Sequence, residues 1–356
     1  MTALAPGATI GILGGGQLGR MMALAAAGLG FRCHIYDPHE APCAARVSAA
    51  FTRGAFDDRD ALTRFAAACD VVTYEFENIA VAPLAALGAK LVPGARSLEV
   101  AQDRAAEKAF LGAVGARVAP WRPVDSAEDA AAAEAALGLP LVLKTRRLGY
   151  DGKGQAWARE AGGAAAAFEA IGRQPAVAEA GVQFAAEFSL IVARDADGAT
   201  RCFDPPRNQH DGGILRRSTV PGGELVESQA AAARGIAERI AGELGHVGVL
   251  TVEFFATADG PLVNEIAPRV HNSGHWTIEG ALTSQFEQHV RAICGLPLGD
   301  PGLVAGGAEM ENLIGSEIER WAELVAEPGA AVHHYDKGEA RAGRKMGHVT
   351  RLSRRA

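Results

Sequence analysis

Two glutamates, Glu253 in TVEFFA and Glu265 in LVNEIA, lie equidistant from Asp259, in a stretch whose turn residues are Asp259-Gly260-Pro261. A hairpin centred there sets the two carboxylates side by side on one face of a sheet. Like charges directly opposite one another repel. The pairing therefore suits a divalent cation, and carboxylate oxygens combined with nucleotide phosphates are what Mg²⁺ prefers. Two solvated surface carboxylates are the competing reading, against which the flanking apolar residues count. Asn264 points to the opposite face in an ideal strand, so a part for it requires a local bend. The next loop, Arg269-Val270-His271-Asn272-Ser273-Gly274-His275, crowds an arginine, two histidines and an asparagine together. It reads as a ligand site on a rigid scaffold or as a chain turn whose polar groups satisfy one another. His271 and His275 as a zinc pair lack supporting cysteine or carboxylate spacing.

Phosphate chemistry is suggested at three further places. Lys144 sits inside an apolar run, where a lysine is rarely buried without an anion. Shortly after it comes Gly149-Tyr150-Asp151-Gly152-Lys153-Gly154-Gln155. Its glycines free the backbone amides to wrap phosphates and Lys153 adds charge; a plain surface hairpin is the alternative. Near the start, Gly14-Gly15-Gly16-Gln17-Leu18-Gly19 follows an apolar run and opens a helical pattern, with Asp37 at the end of the next strand. That is the form of a dinucleotide-binding fingerprint, but it equally fits another phosphate or close helix–strand packing. Finally Lys337, Arg341, Arg344, Lys345 and His348 make a basic cluster near the end of the sequence. A solvated basic face and a phosphate clamp of one lysine with an arginine fork both fit it.

The elements that must carry these groups fall into three stretches. Short apolar runs alternate with helical patterns early on: strands at Thr9–Gly14, Cys33–Tyr36 and Asp70–Glu75, a helix over Gln17–Gly28, and Lys90–Pro93 closing the unit. Such alternation predicts βαβ units and a doubly wound parallel sheet. Helices are expected over Leu98–Val114 and over the alanine-rich Ala127–Leu137. From Leu141 the texture changes, with strands expected at Leu141–Arg146, Phe188–Arg194, Arg201–Asp204, Ile214–Thr219 and Val249–Ala256, then a long helix between Trp276 and Cys294. Beyond Gly295 the breaker run LPLGDPG introduces a small β-rich unit. The divisions expected are 1–103, 104–296 and 297–356.

Composition limits the partners. The 356 residues carry a formal net charge of −7, which argues against a nucleic-acid ligand, since duplex binding needs a basic face. No apolar run approaches the ~18 residues of a membrane span. The start of the sequence lacks the pattern of a signal peptide. Five scattered cysteines without a CxxC pair fit a reducing cytoplasm.

Taken together, GGGQLGRM, TYEFENI, QDR, YDGKGQ, NQHDGGIL, EIAPRVHNSGHWT and KGEARAGRKMGHVT resemble the N5-carboxyaminoimidazole ribonucleotide synthetase family of ATP-grasp enzymes. The likeness spans about Ile10 to Val349. It implies an α/β fold: a doubly wound N-terminal domain, a central ATP-grasp α+β domain and a C-terminal β-rich unit, usually as a homodimer. The implied reaction joins ATP, bicarbonate and 5-aminoimidazole ribonucleotide to give the N5-carbamate, ADP and phosphate. By resemblance, Arg104 and Lys144 would meet ATP phosphates under the flap Gly149–Gln155. Glu179-Ala180-Gly181-Val182 would form the adenine hinge, with Glu187 at the ribose and His210 and Asn264 also at the nucleotide. Glu253 and Glu265 would hold Mg²⁺. Gly16, Gln17, Leu18, Glu75, Arg269 and His271 would surround the amine substrate, Lys337 and Arg344 would clamp its phosphate, and Asp151, Arg269 and His271 would act in the chemistry. Two departures stand out: Val270 replaces the family's usual proline, and EAGV replaces a lysine-containing hinge.

Overall fold

A computed structural model of the chain describes residues 2–149 and 152–354; Tyr150 and Asp151, both named above, lie outside the described residues. The N-terminal unit is a parallel sheet of four strands, in the order Ala50–Arg53, Arg32–Asp37, Thr9–Leu13, Val71–Tyr74. Ile12, Leu13, Ile35 and Val72 are all fully or nearly fully buried, as expected of a parallel sheet covered on both faces. Helix Gln17–Gly28 has the bounds the apolar spacing gives, and its buried Leu18, Met21, Met22 and Ala26 face the core. Leu91 forms a parallel bridge to Val72, which closes the unit near the expected place. The strand Ala50–Arg53 is an addition.

Two helices expected as single pieces are broken. Leu98–Val114 is Ala95–Ala101 followed by Arg104–Ala113, because Asp103 takes an extended conformation and caps the second helix through Ala105 N–H and Ala106 N–H. A carboxylate there satisfies amides that would otherwise be orphaned, and it leaves Arg104 as the first helical residue. Likewise Trp276–Cys294 becomes Thr277–Gly280 and Gln285–Ile293, with Ser284 capping the second through Glu287 N–H.

An antiparallel sheet of four strands, ordered Trp121–Val124, Ala176–Ala180, Leu141–Thr145, Gln155–Ala158, carries helices Ala127–Leu137 and Gly163–Ala170. Facing it is a larger sheet of nine strands. Its path runs Gly260–Ala267, Gly248–Thr257, Ala186–Arg194, Arg207–Asp211, Ile214–Val220, Gly307–Ile314, Lys345–Ser353, Ala330–His334, with Thr200–Cys202 beside Ala186–Arg194. Side chains alternate across this sheet with the two-residue period of a strand. Leu190, Val192, Leu250 and Val252 pack under helix Glu224–Glu243. Ile191, Ala193 and Val249 turn the other way, into a core shared with helices Gln17–Gly28 and Gln285–Ile293. The last strands are β-rich as expected, but they are continuous with the central sheet, since Ile214–Val220 pairs antiparallel with Gly307–Ile314.

Candidate active site

Between the carboxyl ends of the N-terminal strands and the two antiparallel sheets lies a cleft of about 940 Å³. The glutamate hairpin forms part of its wall. Glu253 and Glu265 are register partners and both line the cleft, but the turn is not centred as the sequence suggests. Thr257 pairs with Gly260 and Phe254 with Val263, so an unbroken ladder would set Glu253 opposite Asn264. A bulge between Glu253 and Phe254 inserts Asn264 as the extra residue. It restores the carboxylate pair and turns Asn264 into the cleft beside them. Bulges re-aim side chains in this way next to functional sites.

Below the hairpin the chain buries a compact group of charges. Arg104 Nη1 donates to Glu265 Oε2 at 2.8 Å. Lys144 Nζ lies 3.1 Å from Glu179 Oε2 and 3.4 Å from Asn264 Oδ1. Lys108, absent from the sequence expectations, is 1% exposed, 3.2 Å from Glu179 and 2.8 Å from the Asn264 carbonyl. Burial alone raises a carboxyl pKa and lowers an ammonium pKa. At Glu265 burial is outweighed by Arg104, with Lys144 and His271 adding to it, so its carboxyl is held below the usual range. Glu179 is held down in the same way by Lys144, Lys108 and Arg104. Burial lowers the Lys144 ammonium despite Glu179. The EAGV hinge thus has a use for its glutamate that is not adenine contact: it is the counter-ion of two lysines.

Of the flap, Gly149, Gly152, Lys153 and Gln155 line the cleft. Gly154 does not; it has φ +71°, and a Cβ there would stand 2.5 Å from Thr145 Oγ1, so it shapes the loop. Ala180 and Val182 line the wall, whereas Gly181 is turned away and donates its N–H to the Pro140 carbonyl at 2.8 Å. Val142, Phe184 and Phe255 add apolar wall, the last two stacked with centroids 4.5 Å apart. Glu187 and His210 also line the cleft, with His210 Nδ1 2.8 Å from Glu187 Oε2.

At the N-terminal side the glycine turn is occupied by the chain's own carboxylates. Gly15 N–H donates to Asp37 Oδ2 at 2.7 Å, Gly16 N–H to Glu75 Oε1 at 2.5 Å and Gly19 N–H to Glu75 Oε2 at 2.7 Å. A Cβ at Gly16 would meet Glu75 Oε1 at 2.5 Å, so the glycine is there to admit this carboxylate. The amides a dinucleotide pyrophosphate needs are taken, and the acidic residue that would hold its ribose is folded onto the turn. This removes the nicotinamide-dinucleotide reading. Gly16 itself is set behind the wall, where Gln17, Leu18 and Glu75 are exposed to the cleft.

Arg269 and His271 also reach the cleft. Arg269 is gripped by both oxygens of Glu77, a residue the sequence reading passes over although it lies two positions beyond Glu75. Burial opposes the Arg269 charge, but Glu77 outweighs it and keeps the guanidinium pKa above its ordinary value. Lys337 and Arg344 are not cleft-lining; Lys345, next along the basic cluster, is. Burial, with Arg344 and Lys345 close by, brings the Lys337 ammonium down to about 8 against the opposing pull of Cys43 and Glu75. Cations gathered this way favour an anion among them.

His271 and His275 do not form a zinc pair: the His275 ring packs against Phe286, Tyr335 and His348. Among the described residues the acid and histidine groups close enough to share a metal are Glu279, His333 and His348. There the two imidazoles stack with planes 8° apart. Lone pairs lying in parallel planes do not converge on one ion, and His333 Nε2 is already 2.6 Å from Glu279 Oε1.

A nucleotide-sized cleft between two antiparallel sheets, floored by buried cations and walled by paired carboxylates and a glycine flap, defines the ATP-grasp class. The description "ATP-grasp domain" matches residues 109–286, "Ribonucleotide synthetase preATP-grasp domain" residues 7–102, and "Phosphoribosylaminoimidazole carboxylase C-terminal domain" residues 308–356. The chain is 50% identical to the N5-carboxyaminoimidazole ribonucleotide synthase of Brucella melitensis, over 99% of each chain. The Staphylococcus aureus synthetase complexed with ADP superposes with a TM-score of 0.94 at 36% identity, covering 99% of this chain and 95% of that one. The Aspergillus clavatus synthase in complex with ADP and 5-aminoimidazole ribonucleotide gives 0.91 at 29% identity, with coverage of 98% and 94%. The chain belongs to the N5-carboxyaminoimidazole ribonucleotide synthase family. It is an ATP-dependent ligase of purine biosynthesis that carboxylates 5-aminoimidazole ribonucleotide.

Proposed function

We propose that Glu253 and Glu265 hold Mg²⁺ on the ATP phosphates, with Arg104, Lys144 and the flap Gly149–Gln155 around them. The observation that carries this reading is the bulged register, which sets two carboxylates and Asn264 together above buried cations. Such oxygen donors suit Mg²⁺, which when bound neutralises charge on the transferred phosphoryl group. Lys144 and Arg104 add fixed positive charge from positions that need no reorganisation. Ala180 and Val182 receive the adenine, and Glu187 with His210 the ribose.

Bicarbonate is the carbon source in this reading. Its activation as carboxyphosphate supplies an electrophile for the exocyclic amine, and flap closure keeps water from it. Arg269, locked by Glu77, steadies the anion. Gln17, Leu18 and Glu75 seat the ribonucleotide, with Lys337, Arg344 and Lys345 toward its phosphate. Asp151 orients the amine from the flap. The chain divides functionally at 1–103, 104–296 and 297–356, acts in the cytoplasm and works as a homodimer.

ADP release measured with ATP, Mg²⁺, bicarbonate and aminoimidazole ribonucleotide, leaving out each in turn, tests the reading. Release that needs all four is expected. Full release without bicarbonate, or with formate in its place, would overturn it.

A further inference from the structure

Beneath the cleft floor four polar side chains sit where a sheet interior ordinarily holds apolar ones. Ser189 and Ser218 are 0% exposed, Ser273 0% and Asn208 5%. Burying a hydroxyl without a partner costs about 1–3 kcal/mol, so their presence in a row calls for a reason. They are connected end to end across neighbouring strands and the loop after the hairpin. Ser218 Oγ and Asn208 Oδ1 are 2.8 Å apart, Asn208 Nδ2 and Ser189 Oγ 3.1 Å, Ser189 Oγ and Ser273 Oγ 2.7 Å, and Ser273 Oγ and His271 Nδ1 2.8 Å.

One backbone group sets the direction of every hydrogen in this row. Ser273 N–H, which can only donate, points at His271 Nδ1 from 3.3 Å. Nδ1 is therefore a lone pair, and the Ser273 hydroxyl must donate to it as well. With that hydrogen used, Ser273 Oγ accepts from the Ser189 hydroxyl. Ser189 Oγ then accepts from Asn208 Nδ2, which fixes the amide's orientation, and Asn208 Oδ1 accepts from the Ser218 hydroxyl. Bonds aligned in one sense along such a chain reinforce one another. The ring hydrogen is left on Nε2, the atom 3.1 Å from Glu253 Oε1.

We infer that the Ser273 N–H holds His271 as the Nε2–H tautomer and that Ser273, Ser189, Asn208 and Ser218 are positioning residues, their aligned side chains supplying and strengthening the second hydrogen bond at Nδ1. His271 thereby donates from Nε2 to an anionic oxygen, Glu253 Oε1 in this structure and one of the carboxylating agent when that is bound, and is not the base toward the substrate amine. The inference rests on the reading in which His271, which reaches the cleft, acts in the chemistry. Which ring nitrogen carries the hydrogen is set by what the other one bonds, and a donor already holding its hydrogen is suited to charge that develops on oxygen.

The test is the ¹⁵N spectrum of the histidine rings in the full-length protein, with His271 assigned by loss of its signals in His271→Asn. A protonated Nε2 and an acceptor Nδ1 are expected in the unmodified protein. Ser273→Ala removes one of the two donors at Nδ1 and Ser189→Ala the hydroxyl behind it, so both should shift the His271 Nδ1 signal and lower kcat about 10-fold with the KM for ATP within about twofold, and Ser189→Thr should restore both readings. Hydrogen on Nδ1 in the unmodified protein, or folded alanine variants with unchanged His271 signals and kcat, would overturn the inference. Should Ser189→Ala fail to fold, Ser273→Ala and the unmodified spectrum decide. Lack of bicarbonate-dependent ADP release alongside an Nε2–H signal would instead sink the functional reading and leave the tautomer assignment standing.

Discussion

Two buried polar regions of the molecule satisfy their hydrogen bonds differently. At the junction of the N-terminal and central units, His289 Nδ1 accepts from Val249 N–H at 3.1 Å, while its Nε2 bonds Thr73 Oγ1 at 2.8 Å. His246 is likewise used at both nitrogens, by Ser97 Oγ at 3.0 Å and the Val249 carbonyl at 3.0 Å. Every ring nitrogen there is satisfied from within the chain. In the cleft, Glu179 Oε1 and both polar side-chain atoms of Asn272 are buried without a partner, and Asn272 lines the wall. Buried polar atoms are seldom left so. The first region is joinery; the second is short of the bonds that a ligand supplies.

That contrast can be broken first with acid. Burial lowers the His246 pKa to about 4 and the His289 pKa to about 3, well below 6.5. Between those values the unfolded chain binds more protons than the folded one, so stability falls as pH drops below about 6.5 and levels off once the folded values are passed. The slope is at most about 1.4 kcal/mol per pH unit for each histidine. Denaturant midpoints followed from pH 7 to pH 4 check this; a flat profile would mean the two rings do not carry the junction.

On the cleft side, Lys144→Met removes one fixed charge from the phosphate site. A fall of about 10²–10³-fold in kcat is expected, with circular dichroism unchanged because Lys108 still pairs with Glu179. Glu77→Gln frees the Arg269 fork, and a loss of about 10–100-fold in kcat/KM is expected; saturation curves for bicarbonate should show it while the KM for ATP stays put. The smallest effect belongs to the junction: Thr73→Val strands the His289 Nε2–H and should lower stability by about 1 kcal/mol. Turnover should be untouched, and a matching fall in kcat would blur the distinction between the regions.

Local signals told much of this in advance, and the failures have physical causes. Helices Gln17–Gly28 and Ala127–Leu137 agree end to end because their boundaries are written in glycine and caps. The breaks at Asp103 and Ser284 are also caps, but they fall inside continuous helical periodicity, where propensity hides them. Strand Arg207–Asp211 reads RNQHD, with no apolar alternation to mark it; its place comes from its neighbours. The carboxylate pair was legible from spacing, yet its route through a bulge was not, since an inserted residue shows only once strands are paired. Lys108 could have been found: it lies four positions after Arg104 on the same helical face. Glu77 and the serine row could not, because their partners are distant in sequence. The glycine turn was misleading by itself, for nothing in it announces that Glu75 and Asp37 fill the amides.

The unbroken run of strands from the hairpin to the end of the basic cluster has a mechanical consequence. Lys345 belongs to a strand zipped against Gly307–Ile314, which is itself zipped to Ile214–Val220. The last segment is therefore a selvedge of the same cloth as the ATP-grasp unit, not a pendant module. Unpicking it would bare a raw border at Ile214–Val220 and invite other chains to stitch onto it, as well as carrying away a wall of the cleft.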